Sequence, residues 1–349
     1  MSKFNVLTVK EVRQETPNAV SILFDIPEAL QADYTFTAGQ YLNIKYSFEG
    51  KEIRRAYSIC TPPKSKEIRV VVKKVPYGAF SSFANTELRA GDTLNVQTPE
   101  GRFTLEPDTK ATNNYAAFVA GSGITPVLSI IKTVLEEEPQ STFVLVYGNK
   151  SIEETIFHKE IHALQQQFVN RFFVHFVYSQ SKEADSLFGR IEKAAVNFVL
   201  NNKHKEKTFD RYFLCGPEDM ITTVSTILKE RNVTEDQISF EIFTPNNDGN
   251  NPIEVEGAAK VTVLVDDDET SFTMSKKVVL LDAVLKQGID APYSCQGGIC
   301  SSCMCRVLKG SAEMKKNSIL TDSEIAEGLI LSCQAIVTSD EIYIDYDDV

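Results

Sequence analysis

The 349-residue sequence predicts a multidomain protein: a small antiparallel β-barrel, an α/β unit with a parallel sheet, and an α+β unit. Three observations predict this fold class. Residues 1–106 hold short β-forming runs, residues 110–243 alternate strand-like and helix-like runs, and residues 259–349 carry a cysteine-rich loop. A stretch rich in Pro, Gly, Asn and Asp, residues 245–258, indicates a linker. We therefore expect domains at 1–108, 109–244 and 259–349.

The first segment predicts a barrel because its apolar and β-branched runs are short and are separated by turn residues. The predicted strands are Asn5–Val12, Ala19–Phe24, Tyr41–Ile44, Ile68–Val75 and Thr93–Val96.

The second segment predicts a parallel sheet with helices on both faces, because strand-like and helix-like runs alternate along it. The predicted strands are Tyr115–Ala120, Thr142–Tyr147, Arg171–Tyr178, Arg211–Leu214 and Ser239–Phe243. The predicted helices are Pro126–Glu137, Ile152–Phe168 and Glu218–Arg231.

The third segment predicts a small α+β unit. Lys260–Val265 predicts a strand, Phe272–Met274 its hairpin partner, and Val279–Lys286 a short helix ahead of the cysteine loop. We expect an α+β, β-grasp-like fold here.

The cysteine loop carries the most specific chemical signal in the chain. Four cysteines follow the pattern C-x4-C-x2-C…C, which is the spacing of plant-type 2Fe–2S ferredoxins. Gly297 and Gly298 permit a tight backbone and leave amides free to hydrogen-bond the cluster sulfurs. The predicted ligands are Cys295, Cys300, Cys303 and Cys333.

The alternatives to a cluster are a zinc site and buried thiols. Structural zinc usually shows two short Cys/His pairs, whereas here three cysteines share one loop and no histidine lies in residues 205–349. Cys305 follows Cys303 by two positions, but Cys303 keeps the x2 spacing. We therefore assign Cys305 as a non-ligand.

Composition narrows the class of protein. The net charge is −12, which argues against nucleic-acid binding. The acidic last segment suits either docking to a basic patch on an electron acceptor or simple solubility. Seven cysteines without a secretory signal favour reduced thiols that ligate a cofactor. No window approaches 18 apolar residues, so we expect a cytoplasmic protein without membrane insertion.

Two motifs in the α/β segment suit a nucleotide. Gly121-Ser122-Gly123-Ile-Thr125-Pro126 follows a predicted strand and opens a helix, where free amides can hold a pyrophosphate; a simple tight turn is the alternative. Pro126 stands where a third glycine would be, which the first helical turn tolerates. Cys215-Gly216-Pro217 ends a later strand, at the edge where open α/β sheets bind ligands, but by itself this motif favours a buried cysteine before a turn.

Two motifs in the barrel segment suit a flavin. In Arg55-Ala56-Tyr57-Ser58, an arginine can hold a phosphate, a tyrosine can stack on a ring, and a serine can hydrogen-bond a flavin; the alternative is a strand with a basic edge. Gly78-Ala-Phe80-Ser81-Ser82 offers amides and hydroxyls before a short helix, which suits a pyrophosphate.

In this order, the R-x-Y-S, G-x-G-x-x-P and C-G-P motifs resemble the ferredoxin–NADP reductase superfamily. With the C-terminal ferredoxin unit, the whole chain resembles the reductase components of multicomponent oxygenases. Four further stretches are similar to that family: Arg55–Cys60, Val72–Val75, Tyr147–Asn149 and Gly189–Ile191.

The resemblance implies roles for individual residues. An FAD site would include Arg55, Ala56, Tyr57, Ser58, Val72, Lys74, Gly78, Phe80, Ser81 and Ser82. A nicotinamide nucleotide would contact Lys73, Gly121, Ser122, Gly123, Thr125, Pro126, Ser179, Cys215, Gly216 and Pro217. Ser58, Cys215 and Glu241 would be catalytic, with Glu241 a proton or hydrogen-bond partner. Phe243 would cover the flavin, or else be a core residue of the last strand.

The choice between NADPH and NADH rests on one departure from the family. The family's 2′-phosphate site is often Ser-Arg, whereas this chain has Ser179-Gln180. Yet no carboxylate ends the second strand to hold a free ribose 2′-hydroxyl, and Lys150 stands nearby instead. The pattern favours NADPH over NADH.

These signals predict an NAD(P)H-dependent reductase that passes electrons through FAD and a 2Fe–2S cluster to an oxygenase component. Two alternatives stay open. The same electron path can end at another hydroxylase or a desaturase, and the chain can instead be a non-catalytic redox-sensing or carrier module.

Overall fold

The computed structural model describes residues 3–244, 253 and 255–349. It divides into two compact units, residues 2–244 and residues 245–349. The predicted linker, residues 245–258, lies largely outside the described residues. Each unit is described here by itself.

The first part of the larger unit is a six-stranded antiparallel barrel. The strand order is β4-β3-β6-β1-β2-β5, and a bridge between Ile59 and Val70 joins the two ends of the sheet. This closure confirms the predicted barrel. Its elements are β1 (Phe4–Thr16), β2 (Ala19–Asp25), β3 (Tyr41–Phe48), β4 (Lys51–Ser58), β5 (Ile68–Lys73), α1 (Ala79–Thr86) and β6 (Thr93–Gln97).

Strand β4 was not among the predicted strands, although a strand was the stated alternative for Arg55–Ser58. Its residues are mostly charged or polar, and only Arg54 and Ser58 are buried, so the strand lacks the alternation of apolar residues that marks a half-buried strand. Backbone pairing compensates for this, since every residue of β4 faces a partner in β3, from Lys51 opposite Phe48 to Ser58 opposite Tyr41.

The second part of the larger unit is a six-stranded parallel sheet in the order β10-β9-β8-β7-β11-β12, which confirms the predicted α/β architecture. Strand β7 lies between β8 and β11, so the strand order reverses beside it and leaves a crevice at the carboxyl ends. The elements are β7 (Asn114–Ala120), α2 (Ile124–Glu137), β8 (Thr142–Asn149), α3 (His158–Gln167), β9 (Phe172–Tyr178), β10 (Leu187–Phe188), α4 (Lys193–Asn197), β11 (Arg211–Pro217), α5 (Glu218–Lys229) and β12 (Ile238–Thr244).

Helix α3 begins six residues later than the sequence predicted. The backbone of Phe157 is left-handed, with φ 61°, which no continuous helix accommodates. Thr155, Ile156 and Phe157 are buried just ahead of α3. The apolar side chains of Ile156 and Phe157 extended the predicted helix into what is a packed turn.

The barrel and the parallel sheet share a hydrophobic core. Phe103 and Leu105, from the chain that leaves the barrel, pack in one cluster with Ile130 and Val134 of α2. One buried hydrogen bond crosses the same junction, from Ser129 Oγ to the carbonyl of Thr61 at 2.6 Å. These contacts fix the position of the barrel against the carboxyl ends of the sheet.

The smaller unit has the predicted α+β fold. A five-stranded sheet runs β14-β13-β19-β15-β17, and β16 pairs with β18. The predicted β13–β14 hairpin and the helix before the cysteine loop are both present. The elements are β13 (Ala258–Val265), β14 (Asp268–Ser275), α6 (Leu280–Lys286), β15 (Met304–Lys309), β16 (Ala312–Met314), α7 (Asp322–Ala326), β17 (Leu329–Leu331), β18 (Ala335–Val337) and β19 (Glu341–Asp345).

We expect Ser129→Ala to lower the free energy of unfolding by about 1–3 kcal/mol, because the buried Thr61 carbonyl loses its hydroxyl donor. Urea unfolding followed by circular dichroism measures this change. Thr86→Ala is the matched control: it removes an exposed hydroxyl bond to the Ser82 carbonyl and should change the free energy by at most about 0.5 kcal/mol. Equal effects of the two substitutions would contradict the role assigned to Ser129.

Candidate functional site

The glycine-rich loop lies at the carboxyl end of β7. Gly121–Gly123 form a short 3-10 turn, and α2 begins at Ile124 with no side chain capping its first amides. Gly123 packs so closely on β11 that a Cβ would lie 2.4 Å from the carbonyl oxygen of Cys215, so a larger residue does not fit. The two nucleotide motifs found in the sequence therefore meet, and uncapped amides at a helix N-terminus suit an anion.

Tyr147 contacts this loop from the side of the protein core. Its fully buried hydroxyl lies 2.9 Å from the carbonyl of Gly121 and 3.3 Å from the carbonyl of Ile156. The Gly121 carbonyl is thereby bound on the protein side of the loop. Sequence reasoning noted Tyr147 only as a similarity, although a polar tip at the carboxyl end of a buried apolar strand is a usable signal.

The other predicted loop residues have structural contacts of their own. Thr125 donates its hydroxyl hydrogen to the carbonyl of Ser122 at 3.0 Å, and both Thr125 and Pro126 are buried in the first turn of α2. Gly216 is buried, whereas Ser122 is partly exposed and Pro217 is exposed. In this loop Ser122 is therefore better placed than Thr125 to reach a ligand with its side chain.

The three residues predicted to be catalytic lie together. Ser58 ends β4, and its hydroxyl lies 3.4 Å from Oε2 of Glu241 in β12. Cys215 in β11 faces Glu241 across the parallel register of the two strands. The end of a barrel strand thus meets the carboxyl ends of two sheet strands beside the glycine loop.

Burial sets the protonation of this group. Desolvation raises the pKa of Glu241 to about 8, partly offset by the hydrogen bond from Ser58. Burial, and secondly the charge of Glu241, raise the pKa of the Cys215 thiol well above its ordinary value. At neutral pH Glu241 is therefore a protonated acid that can donate a hydrogen bond, and Cys215 is an uncharged thiol.

Phe243 lies two residues beyond Glu241 in β12. It is partly buried and packs against the core shared by the barrel and the sheet. Part of the ring stays exposed, so both interpretations of this residue, a cover for a flavin and a core residue, stay predictions.

The predicted flavin residues of β4 alternate between its two faces. Arg55 and Tyr57 lie on one face of the strand, and Ala56 and Ser58 on the other. Arg55 is exposed and Tyr57 is half-buried, with its ring 5.5 Å from the ring of Phe80. A cation and an aromatic ring side by side suit a phosphate and a planar ring system.

The loop before α1 is stabilised by hydrogen bonds between its own residues. The Ser81 hydroxyl accepts a bond from the amide of Val75 and donates one to the carbonyl of Gly78, both at 3.3 Å. Phe80 is buried in an aromatic cluster with Tyr46 and Tyr57. Ser81 and Phe80 thus shape the loop, and no side chain caps the first amides of α1.

Three further predicted residues of this region differ in accessibility. The side chain of Val72 lies in the barrel core, so a ligand can reach only its backbone. Lys74 is exposed, and Ser82 is partly exposed in the first turn of α1. Lys74 and Ser82 are therefore accessible to a ligand, and their contact with a flavin stays a prediction.

Ser179 follows β9 at the same edge of the sheet. Its amide and hydroxyl both contact the carbonyl of Asn149, at 3.0 and 3.4 Å. The buried hydroxyl of Ser181 has no hydrogen-bond partner among the described residues. Lys150 follows Asn149, and its carbonyl accepts a bond from the amide of Gln180 at 2.9 Å. Lys150 and Lys182 are both exposed, so this edge offers polar and basic groups.

The four predicted cluster ligands converge in the smaller unit. The sulfurs of Cys295 and Cys300 are 3.1 Å apart, and Cys333 hydrogen-bonds both Cys295 and Cys303. The amide of Gly297 points at the Cys295 sulfur at 3.3 Å. The bond from Cys300, then that from Cys333, lowers the pKa of Cys295, while the same contacts raise the pKa of Cys300 and Cys333.

This donor set fits a two-iron cluster. Among residues 3–244, 253 and 255–349, no three His, Cys, Asp or Glu side chains surround one point as ligands of a single ion. Four thiolates around a 2Fe–2S cluster are shared between two irons, so no such group is required.

The protein scaffold around the sulfurs is tightly constrained. The amide and hydroxyl of Ser332 both donate to the carbonyl of Cys303, at 3.0 and 2.9 Å, next to Cys333. Gly298 has a left-handed φ of 71°, and a Cβ there would lie 2.9 Å from the carbonyl oxygen of Lys316. The Gln334 amide group holds the carbonyl of Gln296 at 3.0 Å.

Cys305 lies in β15, two residues beyond Cys303. Its side chain is fully buried in the core of the smaller unit. Burial raises the pKa of this thiol well above its ordinary value. Its assignment as a non-ligand stays a prediction.

Comparisons with known proteins match all three segments. Family models match residues 6–105 (oxidoreductase FAD-binding domain), residues 118–226 (oxidoreductase NAD-binding domain) and residues 263–338 (2Fe-2S iron-sulfur cluster binding domain). These matches confirm the predicted FAD, nicotinamide nucleotide and 2Fe–2S sites as classes of site.

Two curated relatives cover nearly the whole chain. It is 38% identical to a 1,2-phenylacetyl-CoA epoxidase subunit of Escherichia coli (strain K12), over 99% of both chains. It is 32% identical to the ferredoxin reductase component of 3-ketosteroid-9-alpha-monooxygenase of Rhodococcus rhodochrous, over 99% of this chain and 97% of the relative. The fold is similar to that of phthalate dioxygenase reductase, with a TM-score of 0.61 and 21% identity over 98% of both chains.

Within the described part of the chain, no helix combines the length and apolar character needed to cross a membrane.

We expect Cys303→Ser to lose the 2Fe–2S cluster, and Cys305→Ser to retain it, because Cys303 hydrogen-bonds Cys333 and Cys305 lies in the core of the smaller unit. Iron content per chain and the visible spectrum of anaerobically purified protein measure this. Cys305→Ser also serves as the control for loss of a buried thiol. The opposite pattern would reverse the ligand assignment.

We expect the rate at which NADPH reduces the bound flavin to fall several-fold as the pH rises through about 8, where Glu241 loses its proton. Below that pH the side chain is neutral; above it, a carboxylate opposes the arrival of negative charge. Stopped-flow absorbance of the FAD-loaded protein measures the rate. Glu241→Gln keeps the side chain neutral at every pH and should give a flat profile. An unchanged profile in this variant would assign the titration to another group.

Proposed function

This chain belongs to the family of oxygenase reductase components, and it carries the FAD-binding, NAD-binding and 2Fe–2S domains itself; we propose that it supplies an oxygenase component with electrons from NADPH. The meeting of Ser58, Glu241 and Cys215 beside the Gly121–Gly123 loop supports the proposal most directly. These contacts bring the end of a barrel strand and a neutral acid next to the glycine-rich loop.

The barrel residues bind and orient the flavin in this proposal. Arg55 neutralises a phosphate, Tyr57 packs on the ring system, and Ser58 hydrogen-bonds the ring where it meets Glu241. The free amides at the start of α1 hold the pyrophosphate. When bound, FAD accepts a hydride from the nicotinamide and releases the electrons singly to the 2Fe–2S cluster.

Glu241 and Cys215 shape the place where the nicotinamide lies. Both are uncharged at neutral pH, so neither repels an incoming electron pair. The protonated Glu241 can donate a hydrogen bond to a group that gains negative charge as the electrons arrive. The amides of the Gly121–Gly123 loop hold the nucleotide pyrophosphate.

NADPH is the proposed nucleotide. Support comes from the edge beyond β8 and β9, where Ser179, Lys150 and Lys182 offer hydroxyl and basic groups and no carboxylate ends β8. The buried, unpartnered hydroxyl of Ser181 adds a hydrogen-bond donor close to Ser179 in sequence. A 2′-phosphate would satisfy these groups better than a free 2′-hydroxyl.

The proposed acceptor is an oxygenase of the phenylacetyl-CoA epoxidase type. The support is the 38% identity to a component of that enzyme over 99% of both chains, together with the four sequence stretches similar to oxygenase reductases. Residues 259–349 carry 8 basic and 15 acidic residues, so the acceptor should present a basic surface around its docking site.

The anaerobic visible spectrum of the full-length protein, titrated separately with NADPH and NADH, tests the proposal. We expect flavin bands and an iron–sulfur envelope, with both bleached by NADPH at lower concentrations than by NADH, because the Ser179 edge favours a 2′-phosphate. A colourless protein that holds zinc would reject the proposal.

Cys300→Ser tests the order of transfer in the same experiment. With one ligand removed, the flavin should still bleach with NADPH and still reduce ferricyanide, while reduction of the protein acceptor should stop. Loss of both activities in a folded, FAD-loaded variant would contradict transfer from flavin to cluster.

A further inference from the structure

Lys73 of the barrel and Glu154, which follows β8 of the parallel sheet, form an ion pair across the junction of the two parts. Nζ of Lys73 lies 3.6 Å from Oε2 of Glu154. The other carboxylate oxygen accepts a hydrogen bond from the Asn18 side chain at 3.3 Å, and the Asn18 carbonyl is held by the amide of Lys74 at 2.8 Å. Glu154 is therefore anchored to the barrel at two points.

The lysine end of this pair lies over the glycine loop. A Cβ placed on Gly121 would be 3.8 Å from the Lys73 ammonium. The carbonyl of Gly121 is bound by Tyr147 on the other side, and α2, whose first amides no side chain caps, begins three residues later at Ile124. An anion on this loop would thus lie within reach of the Lys73 ammonium.

Both side chains remain partly open to water. The exposed fraction of the side chain is 28% for Lys73 and 25% for Glu154, so the ion pair is neither buried nor fully exposed to solvent. Exchange of one anion for another at such a lysine costs little, because a partly exposed ion pair contributes little free energy.

We propose that Glu154 is an exchangeable counterion of Lys73, which the pyrophosphate of the nicotinamide nucleotide displaces on binding. The inference rests on the proposed function, since it requires a dinucleotide on the Gly121–Gly123 loop. In the free protein Glu154 holds the ammonium over the loop. In the complex the ammonium pairs with the pyrophosphate, and Glu154 keeps its bond to Asn18.

The exchange has a consequence for affinity. Every binding event has to break the Lys73–Glu154 pair, so Glu154 weakens nucleotide binding, and on dissociation it recaptures the lysine. Glu154 is thus a positioning residue that opposes product retention, and it acts on the nucleotide through Lys73.

We expect Glu154→Gln to tighten the binding of NADP⁺ by about fivefold, the size of one partly exposed charge pair. Isothermal titration calorimetry of the FAD-loaded, full-length protein with NADP⁺ measures the dissociation constant. The gain should shrink at high ionic strength, because salt screens a partly exposed pair. Glu154→Ala is a second variant that should show the same gain.

Glu153→Gln is the matched control. It removes the same charge one residue away, at an exposed position whose side chain hydrogen-bonds Ser151. It should leave the dissociation constant unchanged within about twofold. An equal gain in both variants would attribute the effect to net charge and overturn the inference.

Lys73→Met separates exchange from direct repulsion. With the ammonium removed there is nothing to exchange, so adding Glu154→Gln to Lys73→Met should give no further gain. A gain that persists in the double variant would mean that Glu154 acts on the nucleotide directly. Failure of the wild-type protein to bind either NADP⁺ or NAD⁺ would instead reject the proposed function.

Discussion

The core shared by the barrel and the parallel sheet is the constraint on which the larger unit depends. Phe103 and Leu105 pack against α2, and the Ser129 hydroxyl satisfies a barrel carbonyl at the same junction. Because this junction is apolar and closely packed, the end of β4 has a fixed position beside β11 and β12. The contact between Ser58 and Glu241, two residues 183 positions apart, follows from that docking.

The architecture was predictable from the sequence wherever the residues follow a regular pattern. Alternating elements indicated the parallel sheet, and the cysteine spacing indicated the residues that converge in the smaller unit. Strand β4 was missed, because that polar strand is held by backbone pairing with β3, which leaves no apolar period. Helix α3 was predicted too long, because the buried turn before Phe157 has the apolar character of a helix.

The site was predictable in its motifs but not in its connections. Gly123 and Cys215 were separate signals in the sequence, and only the structure places the glycine against the Cys215 carbonyl. The partners of Tyr147 and Glu154, the Gly121 carbonyl and the Lys73 ammonium, were not predictable, because each partner lies far away in sequence. Such contacts arise from tertiary packing, which local patterns do not encode.

Strand β12 is an edge strand of the parallel sheet, and it carries part of the site. Among the described strands it pairs with β11 alone, on the outer margin of the sheet, yet it carries Glu241 and Phe243. The free energy of local opening is lower for edge strands than for central strands. The same strand continues covalently into the residues that lead to the cluster unit. Tension on that connection would therefore first disturb the neutral acid beside Ser58, while the barrel stays closed around its own core.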